Sequence, residues 1–410
     1  MPARRPPILL PALLAVLALA ALWMAAVRGW ADFRIRSASQ LPDLERACQL
    51  DPARADCLAR LARLREQMAL DASREWERLL ALHPRQASYL TEAALAAEFR
   101  GDLSAAERLL LQAARYNQLW LPRWSLANFY FRHGRPEEFR RWARLAFERA
   151  YGDRTALFRL CREAGVSGGE LTAWLAGNRD NLAALVSFLS AAGPARELPP
   201  AIERYLETAG PAEAPVAQQT VNAAINVLLR EGSAAAIPPL WNRMAERRLI
   251  PYPAWSEDAP LVNPGFLPPL PGGGLDWRLP SAPGVECFPG APPGGVKFTF
   301  SGGQPEAVVL LEQWLVLPGG RAWILEFEYQ TPGIPPGGSH LVWSLEGLPA
   351  AEAPALAAAV DWTRFQARWE APPGLPVRRL VLRAERPRGQ ARHEGELRIR
   401  ALRFTPEARP

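Results

Sequence analysis

Residues 88–150 read SYLTEAALAAEFRGDLSAAERLLLQAARYNQLWLPRWSLANFYFRHGRPEEFRRWARLAFERA, with Gly101 and Gly134 placed 33 residues apart. Small and apolar residues recur at matching offsets around both glycines, which predicts a helical hairpin repeated at a period of about 34 residues. The small residues allow two helices to approach closely, and the larger ones fill the gaps between hairpins. These positions are Leu90, Ala93, Ala94, Ala97, Ala106, Leu110 and Ala113 around the first glycine, and Leu126, Ala127, Tyr130, Phe139, Ala143 and Ala146 around the second.

The hairpin pattern extends in both directions from this stretch. Pro52 and Pro84 lie 32 residues apart, each just after a segment that ends in leucine, where proline ends one hairpin and begins the next. This spacing predicts three repeats over residues 53–150, preceded by half a repeat. Amphipathic segments ended by glycine continue to residue 250 without a clean period, which indicates degenerate repeats that extend and cap the array. The offsets resemble the tetratricopeptide repeat, and the resemblance implies an α-α solenoid over residues 40–250 that binds a protein partner.

The N-terminal segment is apolar enough for a membrane helix. Residues 8–27 carry no charge over 20 positions, a length that spans a bilayer as a helix, so we predict a signal anchor over residues 1–30. Arg4 and Arg5 favour a cytoplasmic N-terminus. A cleaved signal peptide and a buried helix of a globular protein are the alternatives, and we favour the anchor because the apolar run is long for a signal sequence. We therefore expect a single-pass protein of a bacterial inner membrane whose bulk is periplasmic.

The overall composition is that of a globular protein with two or three domains. The chain has 410 residues, of which 49% are hydrophobic and 22% are charged, and its net charge is +6. Arginine supplies nearly all of the positive charge, and it alternates with glutamate along helices without forming basic runs. A protein that binds nucleic acid would cluster its positive charge, so we expect no nucleic-acid partner.

The cysteines are Cys48, Cys57, Cys161 and Cys287, and none of them forms a C-x-x-C pair. So few cysteines are not typical of a disulfide framework, and we therefore expect buried free thiols. A bond between Cys48 and Cys57 across the intervening turn is the alternative.

The C-terminal part changes from helical periodicity to a period of two. Residues 251–293 contain 12 prolines, and we predict a linker over residues 251–262. From Val296 onward, seven segments alternate apolar and polar residues between turns rich in proline and glycine. Seven or eight such strands predict an antiparallel β-sandwich over residues 263–407.

A set of short motifs in this region carries a second resemblance. In order, they are NPGF at Asn263, LDW at Leu275, LPGGR ending at Arg321, EFEYQ at Glu326 and GELRIRALRF at Gly395. This order resembles the jelly-roll carbohydrate-binding modules of bacterial extracellular proteins, which implies a jelly-roll sandwich that binds glycan. The last strand reads RIRALRF where that family carries an acidic residue of a structural calcium site, so we expect no metal.

Tryptophans are the candidate binding residues. Trp314 and Trp362 are candidates for glycan binding, because a sugar packs its C–H face on an indole ring, whereas the other sandwich tryptophans are expected in the core. Trp120 and Trp124 are four residues apart, so they share a helix face and are candidates for binding a protein partner; packing between hairpins is the alternative. Motifs of metalloproteases, α/β-hydrolases and P-loops are missing from the sequence, so we expect no catalytic residue and no cofactor.

These features together predict a non-catalytic, membrane-anchored scaffold of bacterial cell-envelope or exopolysaccharide assembly. That assignment rests on an association between fold and role. The first alternative is a glycan-binding protein in which the helices form a stalk for the sandwich. The second is an enzyme, which would need converging titratable groups in a cleft between the two domains.

Overall fold

The structure, a computed structural model, describes residues 9–38, 40–270, 272–336, 340–348, 355–374, 377–386, 389, 392 and 394–407. Arg4 and Arg5, on which the predicted orientation of the anchor depends, lie outside the described residues. The chain divides into two compact units, residues 1–164 and residues 165–410.

The first unit is helical and contains the predicted hairpins. α3 pairs with α4, α5 with α6, and α7 with α8. The small and large residues predicted to pack around Gly101 and Gly134 are all buried, and both glycines adopt left-handed backbone angles that end α5 and α7. The helices are α1 (Leu9–Ser37), α2 (Leu41–Leu50), α3 (Ala55–Gln67), α4 (Ser73–Leu82), α5 (Ala87–Phe99), α6 (Leu103–Tyr116), α7 (Trp120–Arg132), α8 (Pro136–Phe147) and α9 (Thr155–Glu163).

The predicted half repeat is completed by the end of α1. Ile35 and Ala38 are buried in one cluster with Leu44 and other residues of α2 and α3, and Ala31 is buried as well. Over Leu13–Ser37, α1 is also long and apolar enough to cross a membrane, and the apolar window within it is fully exposed. The same helix is therefore a candidate membrane span along most of its length and a packed helix of the first unit at its end.

Cys48 and Cys57 form a disulfide between α2 and α3, so the expectation of free thiols is wrong for this pair. The turn between these helices brings the two Cα atoms to 5.7 Å, which is within the range that a disulfide can span. Cys161 is buried. Burial raises the pKa of the Cys287 thiol to about 12.

The second unit combines the remaining helices with a β-sandwich. Its helices are α10 (Gly168–Leu175), α11 (Arg179–Ala192), α12 (Leu198–Thr208), α13 (Ala214–Arg230) and α14 (Ile237–Glu246). Its strands are β1 (Val285–Pro289), β2 (Val296–Ser301), β3 (Ala307–Val316), β4 (Arg321–Gln330), β5 (His340–Leu345), β6 (Thr363–Ala371), β7 (Val377–Glu385) and β8 (Glu394–Pro406).

The strands form two antiparallel sheets, ordered β1-β2-β8-β4-β6 and β3-β7-β5. From β2 to β8, consecutive strands alternate between the sheets, which is jelly-roll topology and confirms the predicted sandwich. Residues of both sheets share one core, which includes the buried Trp323, Trp343 and Trp369. The five-residue strand β1 was not predicted, because it lies within the proline-rich segment.

The segment that leads into the sandwich is packed against both the sandwich and the helices of this unit. Gln313 of β3 is fully buried, and its side-chain amide accepts from the Val262 N–H at 3.1 Å and donates to the Val262 carbonyl at 2.8 Å. The Asn226 side chain of α13 accepts from the Gly274 N–H at 3.1 Å and from the Arg278 guanidinium at 2.6 Å. α10–α14 therefore share a compact unit with the sandwich, whereas the sequence placed them in the solenoid; the domain bounds themselves stay a prediction.

A buried carboxylate holds this lead segment together. Asp276 is fully buried and accepts from the Tyr252 hydroxyl at 2.7 Å, from the Asn263 side-chain amide at 3.2 Å and from the Trp277 N–H at 2.7 Å. Burial raises the pKa of Asp276 above its usual range, although the three donors oppose that shift. Phe266 stacks on Trp277 at 5.0 Å between ring centroids. The NPGF and LDW motifs thus have a structural role.

The turn between α3 and α4 generates a prediction for the stability of the first unit. Ala69 occupies it with a φ of 56°, whereas Gly101 has a φ of 85° in the equivalent turn after α5. Because a left-handed backbone strains every residue with a Cβ, Ala69→Gly is expected to raise the free energy of unfolding by about 0.5 to 1 kcal/mol. Gly101→Ala is expected to lower the free energy of unfolding by about 1 kcal/mol. A Cβ at this position would meet no atom within 4 Å, so the whole effect comes from strain of the left-handed backbone. Urea unfolding of the full chain in mild detergent, followed by circular dichroism, measures both changes, and equal midpoints for the two variants would contradict this account.

The Asp276 carboxylate generates a prediction that depends on pH. Because its pKa is raised in the folded state, its contribution to stability falls as the pH rises from the ordinary carboxyl range through the raised pKa. Tyr252→Phe removes a hydrogen-bond donor to the Asp276 carboxylate. The free energy of unfolding should therefore fall by about 1 to 3 kcal/mol when Asp276 is ionised, and by less when Asp276 is protonated. The free energy of unfolding of the full chain is compared in steps from about pH 4 to about pH 9, so that the effect of the substitution is followed through the titration of Asp276. Tyr205→Phe is the control, because that buried hydroxyl bonds to Thr220 and its effect should not vary with pH.

Candidate functional site

The first helices of two neighbouring hairpins, α5 and α7, present an exposed face with large apolar side chains. The 33-residue offset places Trp124 of α7 at the position of Thr91 of α5. Leu95 and Phe99 follow Thr91 at four-residue steps, so all three lie on one side of α5. Leu95 is 46% exposed and Phe99 is 86% exposed, whereas Trp124 is half-buried. We call the surface formed by Thr91, Leu95, Phe99 and Trp124 the first-helix face.

A cavity of about 520 Å³ lies at one end of the first-helix face. Leu70, Leu95 and Phe99 supply its large apolar side chains, and alanines form the rest of its apolar wall. The polar residues around it are Glu66, Gln67, Asp71 and Arg100. A cavity of this kind can receive an apolar side chain of a partner while polar groups around it bond to the partner's backbone.

Trp120 and Trp124 form an aromatic cluster at the other end of the face, as their spacing predicted. Their ring centroids are 6.1 Å apart, and Trp120 also meets Tyr151 edge to face at 6.3 Å. Tyr151 is 71% exposed. Trp124 is at the level of Thr91 on α5, which is eight residues before Phe99. At about 1.5 Å per residue, the cluster and the cavity therefore lie about 12 Å apart along the helix axes.

A charged group links α5 and α7 beside Phe99. Arg132 donates two hydrogen bonds to the Glu98 carboxylate, at 2.7 and 2.8 Å, and the His133 Nε2 lies 2.8 Å from the same carboxylate. Burial acts to raise the pKa of Glu98, but the hydrogen bonds from Arg132 and His133 outweigh it, so that the pKa is lowered. The charged side chains on this side of the face are therefore paired with one another.

Leu95 and Phe99 were not singled out from the sequence. The available signal was their position relative to Leu90, Ala93 and Ala97, the predicted core residues of the same helix. Phe99 does not lie among those core positions, and a large apolar residue at an exposed position marks a candidate binding surface. The sequence pointed to tryptophans instead, because two of them stand four residues apart.

Trp362 lies beside a second cavity, of about 520 Å³, on the five-stranded sheet. The cavity is also lined by Phe288, Lys297 and Arg398. The Arg400 guanidinium lies 3.9 Å from the centre of the Trp362 ring, and Lys297 lies 4.6 Å from that of Phe288. One face of the Trp362 ring is therefore covered by a cation.

Trp314, the other candidate for glycan binding, lies in the three-stranded sheet on β3 and is half-buried. The Arg379 guanidinium lies 5.7 Å from the centre of its ring. The structure thus places Trp314 and Trp362 in or beside different sheets and does not bring them into one site.

Glutamates on these sheets are ion-paired across strands. Glu312 contacts Arg379 at 2.8 Å, Glu326 contacts Arg364 at 3.1 Å, and Glu328 contacts Arg400 at 2.7 Å. These cross-strand contacts place the three glutamates in ion pairs on polar faces of the sheets. Among the residues that the structure describes, no group of three or more His, Cys, Asp or Glu side chains is placed to hold a metal ion.

Solved structures of two kinds are similar to parts of this chain. A TPR protein with an unusual peptide-binding site, YrrB, gives a TM-score of 0.28 at 15% identity and covers 45% of this chain and 91% of its own. A carbohydrate-binding module of family 4 gives 0.27 at 15%, and a module of family 61 in complex with β-1,4-galactotriose gives 0.26 at 16%; each covers 36% of this chain and 99% of its own. No protein-family model matches the sequence, and no curated protein matches it. The helical hairpins and the jelly-roll β-sandwich of this chain are shown by its own helix pairing and sheet topology.

Proposed function

We propose that this chain is a non-catalytic, membrane-anchored scaffold whose first-helix face binds a segment of a protein partner. The single observation that carries the proposal is Phe99, which is 86% exposed and borders an apolar cavity. Exposed apolar side chains beside a cavity are typical of the centres of protein interfaces, because water is displaced from both surfaces on binding.

The first-helix face is suited to one partner segment of moderate length. The cavity at Phe99 and the aromatic cluster at Trp124 are about 12 Å apart along the helix axes, which an extended chain covers in about four residues. Apolar side chains of such a segment would fill the cavity and pack on the indole rings.

Two features support a location on the outer side of a bacterial inner membrane. α1 is long and apolar enough to span the bilayer, and the Cys48–Cys57 disulfide is the kind of bond that persists in oxidising compartments such as the periplasm. A role in cell-envelope or exopolysaccharide assembly is part of this proposal, since an anchored partner-binding unit is joined to a sandwich with a candidate sugar site.

The test of this proposal compares variants of the full chain in pull-downs from solubilised membranes. Phe99→Ala and Trp124→Ala are each expected to reduce recovery of the specific partner by about tenfold or more, because central interface aromatics contribute about 2 kcal/mol or more. Quantitative mass spectrometry of the co-purified proteins measures the loss.

Val216→Ala is the matched control, because Val216 is an exposed apolar side chain on α13 in the other unit. It should leave recovery of the partner unchanged, and circular dichroism should show that all three variants remain folded. Equal recovery with the wild-type chain, Phe99→Ala and Trp124→Ala would rule out the first-helix face as the binding site.

A second candidate function, glycan binding by the sandwich, is favoured by the cavity beside Trp362. That cavity joins the exposed ring of Phe288 to the polar groups of Lys297 and Arg398, and aromatic faces beside hydrogen-bond donors are the elements of a sugar site. The Arg398 guanidinium bonds to Glu396 at 2.6 Å, which fixes its position at the wall. In this alternative the helices serve as a stalk.

Affinity electrophoresis of the full chain in gels that contain neutral or acidic polysaccharides tests this candidate. Trp362→Ala is expected to weaken the affinity obtained from retardation by about fivefold or more on any polysaccharide that binds, since loss of one stacked aromatic costs about 1 kcal/mol or more beyond its buried area. Trp314→Ala should leave retardation unchanged, because Trp314 lies in the other sheet. Loss with Trp314→Ala alone would move the site to the three-stranded sheet, and no retardation of the wild-type chain on any polysaccharide would exclude the candidate.

A further inference from the structure

α1 continues as one helix beyond the part that can lie in lipid. Its uncharged run ends at Val27, while the helix extends to Ser37. At about 1.5 Å per residue, the last ten residues project about 15 Å beyond the hydrocarbon layer. Ile35 of this extension and Ala38 just after it are buried in one cluster with residues of α2 and α3, so the extension is fixed to the first unit.

Side-chain bonds show how α3 runs relative to α1. Arg54, just before α3, bonds to Asp32 of α1. Arg60, six residues later, bonds to the carbonyls of Ile35 and Ala38, with 2.6 Å to the latter. α3 therefore runs in the same direction as α1, away from the membrane.

The turn between α2 and α3 consequently lies at the end of these helices that faces the bilayer. Asp32 lies five residues after Val27, or about 7 Å along the axis, and the headgroup layer on each side of a bilayer is about 5 to 8 Å thick. α2 begins near the level of Ala38 and runs back toward the membrane. Its ten residues cover about 15 Å, so its last residue, Leu50, comes close to the level of Val27. The turn at residues 50–54 thus lies within the depth of the headgroup layer.

Exposed side chains at this depth suit a lipid interface. Leu50 is 48% exposed at the end of α2. On α1, Trp30 lies about 5 Å past Val27 along the axis, within this depth, and Phe33 lies about 9 Å past it, at the outer edge. Both rings are exposed and stack on each other at 5.9 Å, and the Arg34 guanidinium lies 6.0 Å from the Trp30 ring. Tryptophan next to arginine at the end of a membrane span is typical of the interfacial belt, where the ring is partly in lipid and the cation meets phosphate.

We propose that Leu50, Trp30 and Phe33 form a lipid-contact surface that seats the first hairpin of the solenoid in the headgroup layer of the membrane that α1 spans. This inference rests on the membrane anchor of the proposed function. The occupant is the bilayer itself, since α1 places these side chains at its surface. The Cys48–Cys57 disulfide joins the ends of α2 and α3 that flank the turn, so the seated turn is covalently braced.

Photo-crosslinking of the full chain, reconstituted in vesicles of phosphatidylcholine and phosphatidylglycerol, tests the proposal. p-Benzoylphenylalanine replaces one residue at a time: Leu17 within the uncharged run, Phe33 and Leu50 on the proposed surface, and Met68 as the control. Met68 is 54% exposed in the turn at the opposite end of α3, about 20 Å farther from the bilayer. Mass spectrometry quantifies the lipid adduct at each position.

The expected result is a lipid adduct at Leu17, Phe33 and Leu50 in at least tenfold excess over Met68. An adduct at Leu17 together with adduct yields at Phe33 and Leu50 no higher than at Met68 would overturn the lipid-contact surface and leave the anchor intact. Absence of the adduct at Leu17 would overturn the anchor itself, and the surface with it. Circular dichroism of each variant shows whether the chain is folded before irradiation.

Discussion

The structure of the first unit depends on one helix that must satisfy two environments. The long apolar part of α1 is exposed, and its last turns are buried against α2 and α3. The exposed part needs apolar side chains on all sides of the helix, as in the uncharged run. The packed part needs them on one side only, at Ala31, Ile35 and Ala38. Asp32, three residues before Ile35, bonds to Arg54 just before α3. The orientation of the solenoid is thereby tied to that of the helix.

The second unit depends instead on two buried polar side chains, Asp276 and Gln313, whose hydrogen bonds fix the segment that leads into the sandwich. Asp276 and Gln313 are both completely buried, a costly position for such groups unless every strong hydrogen-bonding atom finds a partner. Their partners, Tyr252, Asn263 and Val262, come from the segment that was predicted in part as a linker. Because a misplaced lead segment would leave a buried carboxylate and a buried amide without partners, these bonds allow one path for the chain across the sandwich.

Periodicity predicted the elements of this fold better than it predicted how they are grouped. The hairpins around Gly101 and Gly134 and seven of the eight strands follow from local patterns of 3.6 and 2 residues. The contacts that join Asn226 of α13 to Gly274 are between residues 48 positions apart, so no local pattern reports them. The Cys48–Cys57 bond was missed for a different reason: composition argued against a disulfide framework, while the geometry of a single turn decides a single bond.

The two units differ in how far their candidate binding aromatics are free of other contacts. This difference decides which surface gains more free energy on binding. Arginines lie over the rings of Trp314 and Trp362, and the neighbouring glutamates are paired, so a ligand of the sandwich must displace or share existing contacts. Phe99 is 86% exposed beside an apolar cavity, and burying it requires no such exchange. Since the gain on binding follows the apolar area removed from water, the first-helix face offers the larger net gain per side chain. Partner binding by the first-helix face is for this reason the stronger of the two proposals.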